Sequence, residues 1–487
     1  MRESQDGRLG IWEIGCLRQW STLLGLTSAI GLGLLVCASL EAAPLPPIAA
    51  QQLARSIFQQ LIEINTTDSA GDTTAAANAM AVRLKQAGMP AADIQVLGPA
   101  PKRGNLVARL HGTGQRKPLL LLAHLDVVEA RRDDWSMDPF VFNEKDGYFY
   151  GRGTTDDKAS AAIYVATLIR FLQEGYRPDR DIILALTADE ETGDHNGVDW
   201  LVTNHKDLIG AAFGLNEGGD GMEENGRKVL NGVQASEKVF LTFRLTATNP
   251  GGHSSLPRKD NAIYQIAEAL VSIEHFTFPL QLNEVTRAYL QRTAKLQTGQ
   301  VSADMAAVAG ANPPADAAAR LSENPLLNAR MRTTCVATMM EGGHAENALP
   351  QKAGATVNCR LVPTDSLENV KATLSRITAG TGVQLEALKS PMMAPFSPLT
   401  PEVMSALERS TDAMWPSVPV VPLMGTGATD SKFLRAAGIP MYGVSGLFGD
   451  ANDVRAHGRD ERLGVRQFYE GEEFNYRFIR ALTGANQ

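Results

Sequence analysis

The sequence predicts an α/β protein: a mixed, mostly parallel sheet covered by helices, interrupted by a smaller inserted α+β unit of antiparallel sheet and helices. Three observations predict it. Over the first half of the chain, short apolar runs of strand length alternate with amphipathic stretches of helix length, as parallel strands buried on both faces require. At about Glu237 the pattern changes to strict two-residue alternation in "KVFLTFRLTAT", which suits a half-exposed antiparallel strand. Further on, "VVPLMGTGATDSKFLRAAGIPMYGVSG" returns to the first pattern. A length of 487 residues also suits two domains better than one. The divisions expected are a leader over 1–43, the first part of the α/β domain over 44–236, the insert over 237–364, and the second part of the α/β domain over 365–487.

The leader carries the apolar run "LLGLTSAIGLGLLVCASL", followed by small residues and "APLPP". This is the layout of a signal peptide, so the chain is expected to be exported, periplasmic or secreted. The run is close to the lower limit for spanning a bilayer, and an uncleaved N-terminal anchor is the alternative. Two of the four cysteines, Cys16 and Cys37, lie in this leader. The other two, Cys335 and Cys359, lie in the strand-like stretches "RTTCVATMM" and "ATVNCRLVP". They can pair in an oxidising compartment or remain two buried thiols. The net charge of −8 argues against a nucleic-acid partner, which would need a basic face.

Beyond the leader, apolar residues at helical spacing flank the polar segment "NTTDSAGDTTAAANA", which reads as a loop between two helices. Strands are expected at "GNLVARL", "PLLLLAHLD", "DIILALTAD" and "AAFGLNEG", with helices at "DKASAAIYVATLIRFLQEG" and "NGVDWLVTNHK". The insert opens with the alternating strand and continues with a helix from Asn261 to Phe276. After an Ala- and Pro-rich stretch come the two cysteine-bearing strands.

The polar residues at the strand ends carry the chemistry. In "PLLLLAHLD", His124 and Asp126 close an apolar strand, and residues two apart in a strand share a face. A ligand imidazole with a supporting carboxylate has this arrangement. "GRGTTDDK" places Asp156 in a turn that opens a helix, where Asp157 suffices as the N-cap. "LTADEETGD" ends a strand in Asp189, Glu190 and Glu191, three carboxylates that repel one another unless a cation or solvent compensates. Glu217 follows the strand of "AAFGLNEGG", and His457 lies far downstream in "DVRAHGRDERLGV".

In an open α/β sheet, ligands bind at the carboxyl ends of the strands, where most of these residues fall. Imidazole nitrogen with carboxylate oxygen, and no thiolate, suits zinc or a similar divalent ion. The surplus of carboxylates points to two ions sharing one of them, as in two-metal hydrolytic sites. A two-metal phosphatase or nuclease should show more basic groups nearby. A non-catalytic binding protein of the same fold should have lost a ligand or the base.

The ordered set "HLDVV", "DWSMDPF", "DGYFYGRGTTDDK", "TADEETGD", "NEGG", "GGHSSLP", "ENALP" and "VNCRLVP" resembles the dizinc peptidase and deacylase family. That family includes aminoacylase, glutamate carboxypeptidase, carnosinase-type dipeptidases, acetylornithine deacetylase and succinyl-diaminopimelate desuccinylase. The resemblance runs from about Ile48 to the end of the chain. It implies a catalytic domain with an inserted lid and dimerisation domain, and two divalent ions, zinc foremost, with cobalt or manganese as substitutes. His124 and Glu217 would hold one ion, Glu191 and His457 the other, and Asp156 would bridge them. Glu190 would act as general base, and Asp126 would orient His124. Glu190 and Glu191 would face opposite sides if the chain stays extended. His253 would stabilise the oxyanion, often across a dimer. Arg360 would clamp a substrate carboxylate, with Asn347 and the loop at Gly427 close by. The activity implied is amide hydrolysis of short peptides by an exopeptidase, dipeptidase or carboxypeptidase, with deacylation of N-acyl amino acids as the alternative.

Overall fold

The computed structural model describes residues 43–191 and 194–484. The leader expected over 1–43, with Cys16 and Cys37, lies outside the described residues except for its last position. No helix among the described residues is long and apolar enough to cross a membrane.

A ten-stranded mixed sheet forms the larger body. Its centre holds three adjacent parallel strands, Ile182–Thr187, Leu119–His124 and Phe213–Asn216. All of their residues are buried, which explains why the sequence there is continuously apolar instead of alternating. Strand Asn105–Leu110 runs antiparallel to Ile182–Thr187, so the sheet is mixed on this flank. One face is covered by helices Ile48–Glu63, Thr73–Gln86, Lys158–Gln173 and Val465–Thr483, whose apolar sides make the main core. The opposite face packs on Gly197–Asn204 and Ser431–Ala436 around Leu120, Leu122, Ile183 and Met441. The loop expected between the first two helices is present, and Asp72 caps the second by accepting from the Ala75 amide.

The smaller body is a four-stranded antiparallel sheet built on Val239–Thr248 and Lys352–Leu361. Alternate residues Leu241, Phe243 and Leu245 pack under helix Ala262–Glu274, while Phe240, Thr242 and Arg244 face away. Strand Gln384–Ala387 pairs with Val239–Thr248, and helix Leu367–Ile377 joins the same core. Both lie beyond the expected boundary at 364. Conversely, the helices from Glu284 to Met331, within the expected insert, pack on Leu230, Val421 and Leu423 of the larger sheet. The alanine-rich sequence of that stretch conceals which body it covers, because its helical spacing suits either. Cys335 and Cys359 are cross-strand partners and form a disulfide.

Candidate metal centre and active site

Register brings the site together. His124 is paired with Thr187 and Leu121 with Leu215, so the three central strands end side by side. His124, the turn after Thr187 and Glu217 therefore emerge at one edge. Asp156 arrives from the turn that precedes helix Lys158–Gln173, and the peptide linking it to Asp157 is cis. His457 comes from the loop before the last helix, with a φ of 60°.

Two donor sets result, one of His124, Asp156 and Glu217, the other of Asp156, Glu191 and His457. Asp156 belongs to both. Its Oδ1 lies 2.9 Å from His124 Nε2 and its Oδ2 3.0 Å from His457 Nε2. Glu191 Oε1 is 3.0 Å from the same His457 nitrogen, and Glu217 Oε2 is 3.9 Å from His124 Nε2. Within each set, one ligand atom per residue falls within 4.8 Å of the others. This is a fit for divalent cations on chemical grounds: nitrogen and oxygen donors only, converging from five segments with one carboxylate shared.

The electrostatics agree. Burial disfavours charge on Glu190, Glu191 and Glu217, and neighbouring carboxylates, Asp156 among them in each case, add to it, so all three carboxyls are raised above the ordinary value. For Glu190 the second contribution is the neighbouring Asp430. Hydrogen bonds accepted by the Asp156 and Glu191 carboxylates hold the His457 imidazole up at about 10. Burial opposes protonation of His124, but Asp156, Glu217 and Asp126 outweigh it and raise its pKa. A buried, carboxylate-rich cluster of this kind is what bound cations would offset.

Several local details differ from the sequence expectation. His124 Nδ1 contacts the backbone carbonyl of Asp126 at 3.0 Å, whereas the Asp126 carboxylate stands 3.7 Å away. That carboxylate instead accepts from two successive amides, Glu190 N at 3.1 Å and Glu191 N at 2.9 Å. The strand has ended at Thr187, and Asp189 turns the chain with a φ of 59°. Glu190 and Glu191 thus diverge from a turn braced by Asp126, not from an extended strand. Asp189, the first of the three acids, swings away to Arg103 at 3.1 Å. Asp157 makes no side-chain cap to its helix, and burial pushes its carboxyl up to about 7.

Glu461 is the group the sequence reading missed. Its fully buried carboxylate accepts from the amides of Gly153, Thr155 and Asp156, from Thr155 Oγ1, and from Arg152. In "GRDERLGV" it sits among charged residues and looks solvated; only the Gly-rich partner loop "GRGTTDD" hinted at amides in need of an acceptor. Asp430 is a second missed group, accepting from Asn196 Nδ2 at 2.6 Å.

His253 and Asn347 lie on the smaller body, apart from the donor sets. His253 is exposed on a two-residue strand paired with Ala348–Leu349, and its Nδ1 meets Ser255 Oγ at 2.8 Å. Asn347 O accepts from the neighbouring Ser254 amide at 3.1 Å. Arg360 projects from the face of the small sheet that carries Phe240, 4.7 Å above that ring. Gly427 is exposed in the loop after strand Val420–Gly425.

A mixed sheet whose parallel central strands deliver two overlapping nitrogen–oxygen donor sets beside a further carboxylate, Glu190, has the build of a metal-dependent hydrolase. Comparison with known proteins agrees. Residues 120–481 match the model of Peptidase family M20/M25/M40. The chain is 30% identical over 373 residues to the human (Homo sapiens) N-fatty-acyl-amino acid synthase/hydrolase PM20D1, covering 75% of this chain and 74% of the relative. It is 28% identical over 443 residues to human aminoacylase-1, covering 88% and 95%. An M20 family metallo-carboxypeptidase from Sulfolobus solfataricus shares the fold, with a TM-score of 0.66 at 18% identity over 88% of this chain and 99% of that one. The chain belongs to Peptidase family M20/M25/M40 and is a hydrolytic enzyme.

Proposed function

We propose that the protein hydrolyses the amide bond of small substrates bearing a free carboxylate, short peptides in the first place, with two zinc ions held as the sequence expectation assigns. The observation that carries this reading is Glu190. It adjoins the ligand candidate Glu191 in the chain, its backbone is fixed by Asp126, and burial raises its carboxyl, as suits a group that must take and return a proton near neutrality. His124, Glu217, Asp156, Glu191 and His457 would hold the ions, which supply a polarised carbonyl and an acidified water. Glu190 takes the proton released as the carbonyl is attacked and passes it to the departing amine. Arg360 makes no hydrogen bond or ion pair among the described residues, which supports its role as the clamp for the substrate carboxylate. His253 would donate to the oxyanion.

A second reading, deacylation of N-acyl amino acids, is favoured by the names of the relatives PM20D1 and aminoacylase-1. Export to an oxidising compartment is supported by the Cys335–Cys359 disulfide. Homodimerisation through the smaller body is supported by its outer strand Thr334–Gly342, where Val336, Met339 and Met340 are 58%, 67% and 61% exposed. Sedimentation of the purified protein tests the dimer.

The deciding experiment is hydrolysis of dipeptides and N-acyl amino acids by protein lacking residues 1–43, with and without a chelator, beside Glu190→Gln. Activity lost under both treatments supports the reading, and the preferred substrates separate peptidase from deacylase. Full activity in the chelated protein or in Glu190→Gln would refute it.

A further inference from the structure

A cavity of about 360 Å³ lies where the smaller body meets the larger one. That volume falls within the usual range for small-molecule sites. Its walls come from Val239, Phe240 and Leu241 at the start of the small sheet, and from Leu388, Pro391 and Met392 in the segment that leaves it. Phe240 and Leu388 are each 52% exposed and Met392 is 40% exposed; no packing within the described chain accounts for them. Ala428 and Lys432 complete the lining from the loop that carries Gly427. Glu237 fastens that loop to the cavity wall, Oε2 accepting from Thr429 N at 3.0 Å and from Thr429 Oγ1 at 2.9 Å. One residue further along the loop, Asp430 Oδ1 accepts from Asn196 Nδ2 at 2.6 Å, and the same amide donates to the Asp189 carbonyl at 3.0 Å, in the turn that carries Glu190. The cavity therefore adjoins the catalytic cleft.

Its charge is one-sided. Lys389 and Lys432 line it, and Arg360 stands over Phe240 at 4.7 Å. The single lining carboxylate, Glu237, is already paired with Arg435 at 3.0 Å. An apolar floor under a cationic rim suits a molecule with a carboxylate at one end and a bulky apolar group beside it.

We infer that this cavity is the specificity pocket for the leaving amino acid, receiving a large apolar side chain such as that of leucine, methionine or phenylalanine while Arg360 holds the adjacent carboxylate. The inference deepens the amide-hydrolase reading and rests on it for the role of Arg360. It holds equally for a peptide and for an N-acyl amino acid, because both release an amino acid with a free carboxylate.

The test uses the metal-loaded protein and N-acetyl derivatives of glycine, alanine, leucine, methionine and phenylalanine. kcat/KM is expected to rise with side-chain area, leucine exceeding alanine by on the order of 50-fold for three added carbons. Phe240→Ser and Leu388→Asp, at exposed positions, are expected to shrink that ratio by about fivefold or more. A flat series, or a ratio unchanged in both variants, overturns the inference. If none of these amides is cleaved, calorimetry on Glu190→Gln protein with N-acetyl-leucine and N-acetyl-glycine still decides. Tighter binding of the leucine compound, lost in a Leu388→Asp background, upholds the pocket while rejecting the deacylase reading. Equal or undetectable binding of both rejects the pocket.

Discussion

Arg152 and Glu461, 309 residues apart in the chain, meet at 2.7 Å with both side chains sealed from solvent. The pair joins two loops that each deliver a member of the donor sets, Asp156 and His457. Glu461 gathers the amides of Gly153, Thr155 and Asp156, and Arg152 Nη2 reaches back to the His457 carbonyl at 3.4 Å. Trp135 closes over the guanidinium at 5.0 Å. Glu461→Gln keeps one acceptor oxygen but loses the charge that organises the loop. Zinc affinity is expected to fall by about 10- to 100-fold, as when outer partners of metal ligands are removed. Zinc titration against a competing chelator measures this. Unchanged affinity in a folded variant would show that the loop holds Asp156 without Glu461.

Asp126 braces a turn, and its replacement should act through geometry. In Asp126→Asn only one side-chain oxygen remains for two amides, Glu190 N and Glu191 N. kcat is expected to drop by about 10- to 100-fold with a smaller change in KM. A KM effect alone would place Asp126 against the substrate instead.

The disulfide should be measurable as stability. Cys335 and Cys359 close a loop of sequence separation 24, for which a loss of about 3 kcal/mol is expected on replacing both by alanine. Calorimetry should show the lowered transition in the variant and in reduced wild type alike. Coincident melting of all three forms would contradict this.

Glu472 predicts a pH dependence far from the metal site. Burial pushes this carboxyl from 4.5 up to about 8, with Arg170 opposing the shift and Glu473 adding to it. The folded chain holds the proton more tightly than the unfolded chain. The stabilisation is therefore complete below about pH 4.5 and lost as pH rises through about 8. Glu472→Gln should flatten that part of the Tm–pH curve and narrow the gap between pH 5.5 and 9 relative to wild type. Parallel curves for the two proteins would count against it.

Most of the site was legible because its residues interrupt apolar strands. His124 and Glu217 stand out after runs such as "LLLLA" and "FGL", where a buried polar group needs a reason. What could not be read was anything decided by turn geometry or by a distant partner. The left-handed Asp189 turns Glu190 and Glu191 off the line of the strand, and nothing in "ADEET" shows that Asp189 will find Arg103. Glu461 is buried only because a loop 300 residues earlier folds over it. The body to which each helix belongs was equally hidden: the amphipathic stretch from Glu284 to Met331 is apolar on one side, and its sequence does not name the sheet it covers.

That last assignment has a consequence for how the two bodies are joined. The chain passes into the small sheet at Val239, out again between Glu274 and Glu284, back at Thr334, and out after Ala387. Lys238 fastens two of these passages at one amine, donating to the carbonyls of Ala329 at 2.8 Å and Arg332 at 2.5 Å. The smaller body is thus sewn through the larger one, not hung from it by a single pair of strings. Cutting out a continuous segment would strip the large sheet of the helices that cover Val421 and Leu423, and any swinging of one body against the other must turn about the stitch at Lys238.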